Sequence, residues 1–278
     1  MEVQEFSSDR LSWYRTEHFF SNVADIETID DLKRAEEYAA EKQLRIFVLG
    51  NGSNVFFKKP NVRSVIVRPK FEKTITQDGD IFTVSGNTNI SKLLIELRGQ
   101  SRSGPYYLAS VPATVGGAVA MNAGTGRSGR QFIGDFLIDV TVWENGKVQV
   151  LEKQDLEIGF RTTKFSETYR GIIRSARFTF PKTSLDGDPI QARKRWAREF
   201  QNATIPNCGS VFRRFNGRIM GIVRGITKFL PAYICDKSLI WISNKSKNPM
   251  WIRFLVILTK TLHRIAGCKC ELEIREVE

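Results

Sequence analysis

The stretch SVPATVGGAVAMNAG, residues 110–124, decides the fold assigned to this chain. It reads as a strand, a turn and a second strand, with a hydroxyl at Thr114 and an amide at Asn122 but no acidic or basic side chain. Glycine and alanine let another group approach the backbone closely, so the run indicates that something bulky packs against it. The residues leave two candidates for that object: a bound cofactor, or a neighbouring helix or sheet.

A second glycine-rich turn, LGNGSN at residues 49–54, comes earlier in the chain. Thr28 is placed to cap a helix over residues 30–42, and the apolar run LRIFVL over 44–49 is typical of a buried strand. Glycines in such a turn let backbone N–H groups converge on an anion, and the polar residues at its end add donors. This order predicts a phosphate cradle. Neither turn has the dinucleotide-binding pattern, since no helix opens directly after it, and neither has the lysine of a P-loop.

The remaining elements mix strands and helices. A hairpin is predicted where VTVW and KVQVL flank the turn ENG, and the composition of residues 182–188 is that of a linker. Further strands are predicted at 64–69, 81–86, 170–180 and 270–278, and further helices at 91–100, from the cap Asp188 to residue 201, and from the cap Asn248 to the stop Gly267.

Charge is the most unusual feature of the composition. The 278 residues carry a formal net charge of +12, and from Lys182 onward 18 Lys and Arg face 8 Asp and Glu. A basic lobe attracts phosphate groups of nucleic acid, an anionic membrane or a nucleotide-type substrate, and a solvated basic surface is the plain alternative.

The cysteines, histidines and apolar runs limit the class of protein. Four cysteines are too few and too scattered for a disulfide framework, and Cys-x-Cys at 268–270 lacks partner ligands, so no metal site is expected. Two histidines argue against a catalytic triad and against a His-rich metal centre. Without a signal peptide or an uninterrupted spanning segment, the expectation is a cytoplasmic protein with no membrane partner.

The two glycine-rich turns resemble the flavin-binding segments of the UDP-N-acetylenolpyruvoylglucosamine reductases, the MurB family, which have LGxGSN followed by GIPGTVGGAxxMNAGAxG. Three later stretches are similar to further motifs of that family, so the resemblance covers nearly the whole chain. They are FRTTKF at 160–165 for YRxSxF, NCGSVFRR at 207–214 for AGSxFK[NR], and CELEIR at 270–275 for LEPEVR.

The resemblance implies an α+β fold in two domains. The first is a two-lobed FAD-binding domain of the PCMH/VAO type over residues 1–181, with lobes over about 1–62 and 63–181. The second is a substrate-binding α+β domain like the family's C-terminal domain, over residues 185–278.

The resemblance also implies an activity and its cofactors. NADPH would reduce non-covalently bound FAD, which would then reduce UDP-N-acetylglucosamine enolpyruvate to UDP-N-acetylmuramate for peptidoglycan synthesis. The residues that match the family's FAD contacts are Leu49, Gly50, Asn51, Gly52, Ser53, Asn54, Ser110, Pro112, Thr114, Gly116, Gly117, Ala118, Asn122, Ala123 and Gly124.

Three matched positions correspond to the catalytic groups. Arg161 and Glu273 would stabilise the negative charge that builds on the substrate as hydride adds to C3. Glu273 would have to be protonated, a state that burial away from water favours. Ser210 would donate a proton to C2, and Arg213 and Arg214 would bind the substrate diphosphate. The expected partners are the UDP-sugar and NADPH, with the protein a monomer.

Several positions depart from the family pattern. The early segment at 16–24 lacks a glycine pair at 21–22, Ala113 replaces a glycine, Phe215 replaces a proline, and residues 238–250 differ throughout. Two other readings therefore stay open. One is a related flavin oxidoreductase that acts on a different unsaturated acid. The other is a basic module that binds nucleic acid through the cationic helix ARKRWAREF, although the sequence matches no helix-turn-helix, zinc-finger or RNA-binding signature.

Overall fold

The chain folds into two compact units. A computed structural model describes residues 1–125, 131–201 and 204–278. Unit 1 consists of Met1–Val3, Val23–Asn51 and Val65–Ala197, and unit 2 of Gln4–Asn22, Gly52–Ser64 and Arg198–Glu278. These units divide the chain at other points than the domain limits at 181 and 185, which remain a prediction about the domains.

Short strands and seven α-helices make up the described part of the chain. The strands are β1 (Val3–Ser8), β2 (His18–Ile26), β3 (Ile46–Val48), β4 (Val55–Phe57), β5 (Asn61–Val62), β6 (Val65–Pro69), β7 (Ile75–Asp78), β8 (Ile81–Ser85), β9 (Leu137–Glu144), β10 (Lys147–Glu152), β11 (Ile172–Thr179), β12 (Phe212–Arg214), β13 (Ala232–Ile234), β14 (Ile242–Asn244), β15 (Glu271–Leu272) and β16 (Arg275–Val277). The helices are α1 (Ile29–Glu41), α2 (Ile90–Gly99), α3 (Val115–Ala120), α4 (Lys164–Glu167), α5 (Pro189–Phe200), α6 (Gly217–Thr227) and α7 (Met250–Ile265).

The first layer of unit 1 is a small parallel sheet covered by α1. In register, β6 pairs with β3 and with the end of β2, so that Val67 lies opposite both Val48 and Ala24. Thr28 caps α1 as predicted, because its hydroxyl accepts a hydrogen bond from the Asp31 N–H. The helix buries a stripe of apolar residues against the sheet, namely Leu32, Ala35 and Ala39.

The second layer of unit 1 is an antiparallel sheet in the order β10-β9-β11-β8-β7. The predicted hairpin is confirmed: β9 and β10 join through Asn145 and Gly146, which both have positive φ, at 51° and 67°. Positive φ at both positions matches the twist of adjacent strands. Helices α2 and α3 bury Leu93, Leu97 and Val119 in the core of this layer.

The structure corrects the strand-turn-strand interpretation of residues 110–124. A helix, α3, begins after Thr114, whose hydroxyl accepts a hydrogen bond from the Gly117 N–H at 3.2 Å. The helix lies so close to the turn after β8 that a Cβ atom on Gly116 would be 3.1 Å from the Gly86 carbonyl oxygen. Close packing therefore accounts for the smallness of Gly116. The segment reads as a strand because alternating valine and alanine carry no helical period.

Unit 2 builds its core from Tyr14, Phe56 and residues of α6 and α7. The prediction of a single strand over 270–278 is wrong in one respect, because the segment forms two short strands. β15 pairs antiparallel with β12, while β16 pairs parallel with β4. The chain exchanges one partner for the other at residues 273–274, and the strand is interrupted there.

The two predicted helix caps near the C-terminal third are found close to their expected places. The Asp188 carboxylate accepts hydrogen bonds from the Ile190 and Gln191 N–H groups at the start of α5. Helix α7 begins at Met250, one residue after Pro249, the predicted first position, and the Asn248 side chain accepts a hydrogen bond from the Met250 N–H at 2.9 Å. In the described residues no helix is both long and apolar enough to span a membrane.

Candidate functional site

In unit 1 the turn at residues 86–89 holds the segment 110–124 in place. The Val115 N–H donates to the Thr88 carbonyl at 2.8 Å, and the Gly116 N–H donates to the Gly86 carbonyl at 2.7 Å. The Ile90 N–H donates in the other direction, to the Ala113 carbonyl at 3.0 Å. The turn was missed by the sequence analysis, although its sequence Gly-Asn-Thr-Asn between a strand and a helix is a signal for a structured polar turn.

The first glycine-rich turn lies beside the same segment through its residues in unit 1. Leu49 is buried, and its N–H donates to the Val67 carbonyl at 2.8 Å. A Cβ atom on Gly50 would be 2.8 Å from the Thr114 hydroxyl oxygen, so only glycine allows this approach. The Asn51 side chain donates to the Asn89 side chain at 2.9 Å. The structure thus brings Leu49–Asn51 and Thr114 together within unit 1.

Asn122 organises the end of the segment. It is buried, has a positive φ of 40°, donates from Nδ2 to the Gly159 carbonyl at 2.9 Å and accepts at Oδ1 from the Gly134 N–H at 3.2 Å. The neighbouring Ala123 is buried, and Gly124 forms an isolated antiparallel β-bridge with Phe132. Through these two hydrogen bonds the Asn122 side chain supports the backbone at the end of the segment.

Arg161 lies in a tight turn that is anchored to this segment on both sides. On one side is the bond from Asn122 to Gly159, and on the other the Thr163 hydroxyl donates to the Ala120 carbonyl at 2.7 Å. Arg161 itself has a φ of 60°, a left-handed conformation that costs a non-glycine residue about 1–2 kcal/mol. Such a conformation persists only where neighbouring contacts fix it, and it occurs often at functional sites.

The start of the segment is also engaged by the protein. The Ser110 hydroxyl lies 3.2 Å from Nε of Arg193, and the Arg193 guanidinium lies 4.1 Å from the ring centre of Trp196. Burial lowers the pKa of Arg193. Pro112 is half-buried, Ala118 is buried and Gly117 is exposed. Gly117 therefore leaves an open, uncovered patch of backbone at the first turn of α3.

In unit 2 two of the predicted catalytic residues lie beside a pair of hydrogen-bonded strands, β12 and β15. Ser210 precedes β12 and forms an isolated antiparallel bridge with Trp241. Glu273 follows β15, the partner of β12, and its N–H donates to the Val211 carbonyl at 2.8 Å. Residues that are 63 positions apart in sequence thus become neighbours through one backbone hydrogen bond. Glu273 occupies the interruption between β15 and β16.

Asn54, from the end of the first glycine-rich turn, meets Glu273 in unit 2. Its side chain donates to the Glu273 carbonyl at 3.2 Å, and its own carbonyl accepts from the Arg275 N–H at 3.0 Å. The parallel pairing of β4 with β16 begins at the next residue, Val55, opposite Arg275. The turn and the acid are therefore fixed to each other by main-chain geometry.

Backbone donors of the first turn are available for an anion. In unit 1 the Gly50 N–H, and in unit 2 the N–H groups of Gly52, Ser53 and Asn54, donate to no acceptor in the described part of the chain. Gly52 has a φ of 67°, and a Cβ atom there would lie 2.1 Å from the Leu11 carbonyl oxygen. Backbone N–H groups without an acceptor, next to a left-handed glycine, suit a phosphate group.

The Cys208 thiol packs against Val55 and Ser12, next to this part of unit 2. It is buried, with Sγ 3.5 Å from both the Val55 carbonyl oxygen and the Ser12 hydroxyl. Ser12 in turn donates to the Val55 carbonyl at 2.7 Å. Burial raises the pKa of Cys208 to about 11, so the group is a neutral thiol at physiological pH and not a nucleophile.

The two candidate substrate arginines share one carboxylate. Nε of Arg213 lies 3.3 Å from Glu271, and Nη1 of Arg214 lies 3.5 Å from the other oxygen of the same carboxylate. Two positive charges against one negative charge leave a net positive charge at the end of β12. Arg161 belongs to unit 1, so its position relative to Ser210 and Glu273 stays a prediction.

Comparisons with known proteins agree with this architecture. Residues 21–152 match the family described as the FAD binding domain, which confirms the expected class of the first domain. A UDP-N-acetylenolpyruvoylglucosamine reductase from Clostridium botulinum is 31% identical over 188 residues, 65% of this chain and 59% of its own length. One from Geobacillus thermodenitrificans is 26% identical over 90% of this chain and 83% of its own length.

A solved structure matches over both chains in full. The UDP-N-acetylenolpyruvylglucosamine reductase of Thermus caldophilus has a TM-score of 0.79 and 25% sequence identity to this chain. The α+β fold expected from the sequence is confirmed. Among the first curated relatives the chain spans about three fifths of their length, 59% in the Clostridium protein and 64% in one from Alkaliphilus oremlandii.

Proposed function

Because the chain is a divergent member of the UDP-N-acetylenolpyruvoylglucosamine reductase family, we propose that it reduces UDP-N-acetylglucosamine enolpyruvate to UDP-N-acetylmuramate. FAD is the proposed non-covalent cofactor and NADPH the hydride donor. The observation that carries the proposal is the pairing of Ser210 and Glu273 through the Val211 carbonyl, at the interruption between β15 and β16.

The residues of the two glycine-rich segments fit FAD. In unit 2 the backbone donors at Gly52, Ser53 and Asn54 suit phosphate oxygens. In unit 1 the exposed Gly117 lets a flat ring approach the main chain. When bound, FAD supplies the group that carries hydride from NADPH to the substrate. Thr114 and Asn122 remain proposed FAD contacts, and their hydrogen bonds to Gly117 and Gly159 also hold the shape of the cradle.

Ser210 is the proposed proton donor to C2 of the substrate. A serine hydroxyl is a weak acid, so its position and the exclusion of water must supply the effect. Its backbone is held by the bridge to Trp241 on one side, and on the other by the Val211 N–H, which donates to the Ile240 carbonyl at 2.7 Å. These contacts limit the directions that the Ser210 side chain can take.

Glu273 and Arg161 are the proposed partners of the substrate carboxylate. Charge builds on the carboxylate and on C2 as hydride adds to C3, and preorganised donors stabilise that charge best. A protonated Glu273 can donate a hydrogen bond, and its backbone is fixed by Val211 and Asn54. Arg161 is held in a strained turn, which limits the reorganisation needed during the reaction.

Arg213 and Arg214 are the proposed binding groups for the diphosphate of the UDP-sugar. Guanidinium groups bind phosphate oxygens in bidentate fashion. Glu271 already holds both groups at 3.3 and 3.5 Å, distances longer than strong ion-pair hydrogen bonds. A diphosphate with more negative charge can therefore displace this carboxylate, and Glu271 sets the affinity by competition.

The proposed assembly is a monomer in the cytoplasm that binds small molecules and no nucleic acid. Gel filtration combined with light scattering tests the monomer directly, since a dimer doubles the measured mass. The cationic helix α5 is the feature behind the nucleic-acid alternative, but its Arg193 is half-buried and contacts Ser110 and Trp196. A mobility-shift assay with duplex and single-stranded probes at low salt separates the two readings.

The experiment for the proposed reaction is substrate-dependent oxidation of NADPH by the purified, flavin-loaded protein. We expect Ser210→Ala and Glu273→Gln each to lower kcat by about a hundredfold or more, because each removes a proton or charge contact in the transition state. Glu276→Gln is the matched control, since Glu276 lies three residues further along the chain, in β16, and pairs with Lys260. Normal turnover in both site variants would rule out the mechanism.

A second candidate function is the reduction of a different unsaturated acid. One observation favours it: the segment that departs from the family pattern, residues 238–250, supplies the Ile240 carbonyl and Trp241 that hold Ser210 and Val211. A change here reshapes the surroundings of the proton donor directly. This second function would be supported if NADPH reduces the bound flavin but the enolpyruvyl sugar nucleotide does not increase NADPH oxidation.

A further inference from the structure

Two helices of unit 2 each expose a face that carries large apolar side chains. Helices α6 and α7 pack against each other and against β13, and each buries one face in the core of unit 2. Their opposite faces carry large apolar side chains that remain exposed, and Phe229, just after α6, is 90% exposed. We call this surface the α6–α7 face; it comprises Ile222, Ile226, Phe229, Met250, Trp251, Phe254, Ile257 and Ile265.

The spacing of these residues shows that the exposure is organised. On α7, Met250, Phe254, Ile257 and Ile265 follow each other at helical intervals and so form one stripe along the helix. On and after α6, the two exposed isoleucines and Phe229 do the same. Isolated exposed apolar residues are ordinary, but two adjacent helices with continuous outward stripes are typical of an interaction surface.

The charged residues on the two helices themselves are all basic. Residues 217–228 and 250–265 contain no aspartate or glutamate. Their basic residues are Arg218, Arg224, Lys228, Arg253, Lys260 and Arg264. On α7, Arg253, Lys260 and Arg264 recur at helical spacing and form a basic edge along the apolar stripe. Only Lys260 of these forms a described ion pair, with Glu276 at 3.4 Å.

We propose that the α6–α7 face docks this protein on the surface of an anionic lipid bilayer. Helices that lie in the bilayer interface combine an apolar stripe containing Trp, Phe and Leu or Ile with Lys and Arg on the polar side. Anionic headgroups attract each basic residue near the surface, and apolar side chains enter the boundary between headgroups and acyl chains. Trp251, near the start of α7, has the amphipathic ring that is favoured at that depth.

A second protein or a nucleic acid fits the face less well. A nucleic acid is bound through its phosphates and gains nothing from the exposed isoleucines Ile222, Ile226, Ile257 and Ile265. A second copy of this chain would bring its own cations against the same cations across a twofold axis. A bilayer accepts both the apolar and the basic part of the face.

Docking of this kind is peripheral and does not depend on the proposed reductase activity. It departs from the sequence-based expectation of no membrane partner, and it agrees with the attraction of a basic lobe to anionic membranes. Neither helix needs to leave unit 2, because the faces that pack on β13 and the core stay buried.

The test is flotation of the full chain with lipid vesicles. One set contains equal parts of phosphatidylglycerol and phosphatidylcholine, and the other phosphatidylcholine alone. We expect binding to the first set only, weakened by salt because headgroup attraction is screened. The double variant Phe229→Ser/Phe254→Ser should bind the anionic vesicles at least about tenfold more weakly, since each ring contributes apolar area at the interface. Val148→Ser/Val150→Ser, two exposed valines of β10, is the matched control and should bind as the unmodified protein does.

Three results would overturn the proposal. The first is no flotation with anionic vesicles at low salt. The second is equal binding by the phenylalanine variant and the unmodified protein when circular dichroism shows both to be folded. The third is a concentration-dependent dimer that the phenylalanine variant abolishes, because the face would then be the contact between two copies. Reductase activity need not be measured, so failure here leaves the proposed function unaffected.

Discussion

The segment at residues 110–124 in unit 1 and the strand pair around Ser210 and Glu273 in unit 2 use polar groups in opposite ways. In the first, Thr114 caps its own helix, and Asn122 bonds to backbone groups of neighbouring turns. In the second, hydrogen bonds fix the main chain on both sides of Ser210 and at Glu273. The first region is therefore a framework whose changes affect folding and cofactor binding. The second presents side chains whose changes affect chemistry.

The largest expected effect comes from a change in the framework. Gly86→Ala places a Cβ atom 2.0 Å from the Ile173 carbonyl oxygen, and this backbone atom cannot move aside. We expect the free energy of unfolding to fall by more than about 3 kcal/mol and flavin content to fall with it. Gly99→Ala is the control, because nothing lies within 4 Å of its Cβ position. Chemical denaturation with visible absorption measures both; two variants of equal stability would contradict the close packing of Gly86 against β11.

A smaller effect is expected where the framework meets the chemistry. Thr163→Val removes the hydrogen bond to the Ala120 carbonyl and loosens the turn that carries Arg161. Stability should fall by about 1 kcal/mol, and kcat by about tenfold with flavin still bound.

Thr163→Ser supplies the control for this change. Serine keeps the hydroxyl and should restore most of kcat. If valine and serine give the same kcat as the unmodified protein, the turn does not position Arg161 for the reaction.

A buried histidine in unit 2, His18, should make the stability of the protein depend on pH. Burial lowers the pKa of His18 below its usual 6.5, partly opposed by the hydrogen bond with the Lys59 carbonyl. The unfolded chain then binds a proton more readily than the folded one, so the stabilising contribution is present above pH 6.5 and lost as pH falls below it. Denaturation curves between about pH 7 and about pH 5 should show this loss, and His18→Gln should flatten it. An equal slope in both proteins would exclude His18 as the cause.

The smallest effect is expected for a surface pair of unit 2. Lys247 forms a salt bridge with Asp9, and its hydrogen bond lowers the pKa of that carboxyl group. Because the lysine is mostly exposed, Lys247→Gln should change stability by less than about 1 kcal/mol, with the difference reduced at high salt. Thermal melts at low and high ionic strength check this. A loss as large as that of Gly86→Ala would show that the pair has a structural role.

The sequence analysis identified the elements whose signals are local. The cap at Thr28, the Asn145–Gly146 turn and the Asp188 carboxylate all act within a few residues, and each was found in place. The α3 helix was missed because glycines and alanines weaken both the helical and the strand pattern, and because its support comes from Gly86 and Thr88. That support is a tertiary contact with no local signal.

The candidate site was predictable to a similar extent. The identity of Ser210 and Glu273 could be proposed from motif order, but their contact through Val211 could not. It depends on a strand pairing between residues about sixty positions apart. The break of the last strand at Glu273 has the same origin, since two different partners draw the chain in two directions. The ion pairs of Glu271 with both arginines likewise follow from the register of β12 and β15.

The central claim is that Ser210 and Glu273 act on an enolpyruvyl substrate after the cofactor has been reduced. The most direct test is a single-turnover experiment without oxygen: the flavin-loaded protein is reduced with one equivalent of NADPH and then mixed with UDP-N-acetylglucosamine enolpyruvate. We predict rapid return of the oxidised flavin absorption in the unmodified protein, and in Ser210→Ala normal reduction but a return slowed by about a hundredfold or more. Protein that binds no flavin, or an equally fast return in the Ser210→Ala variant, would contradict the account.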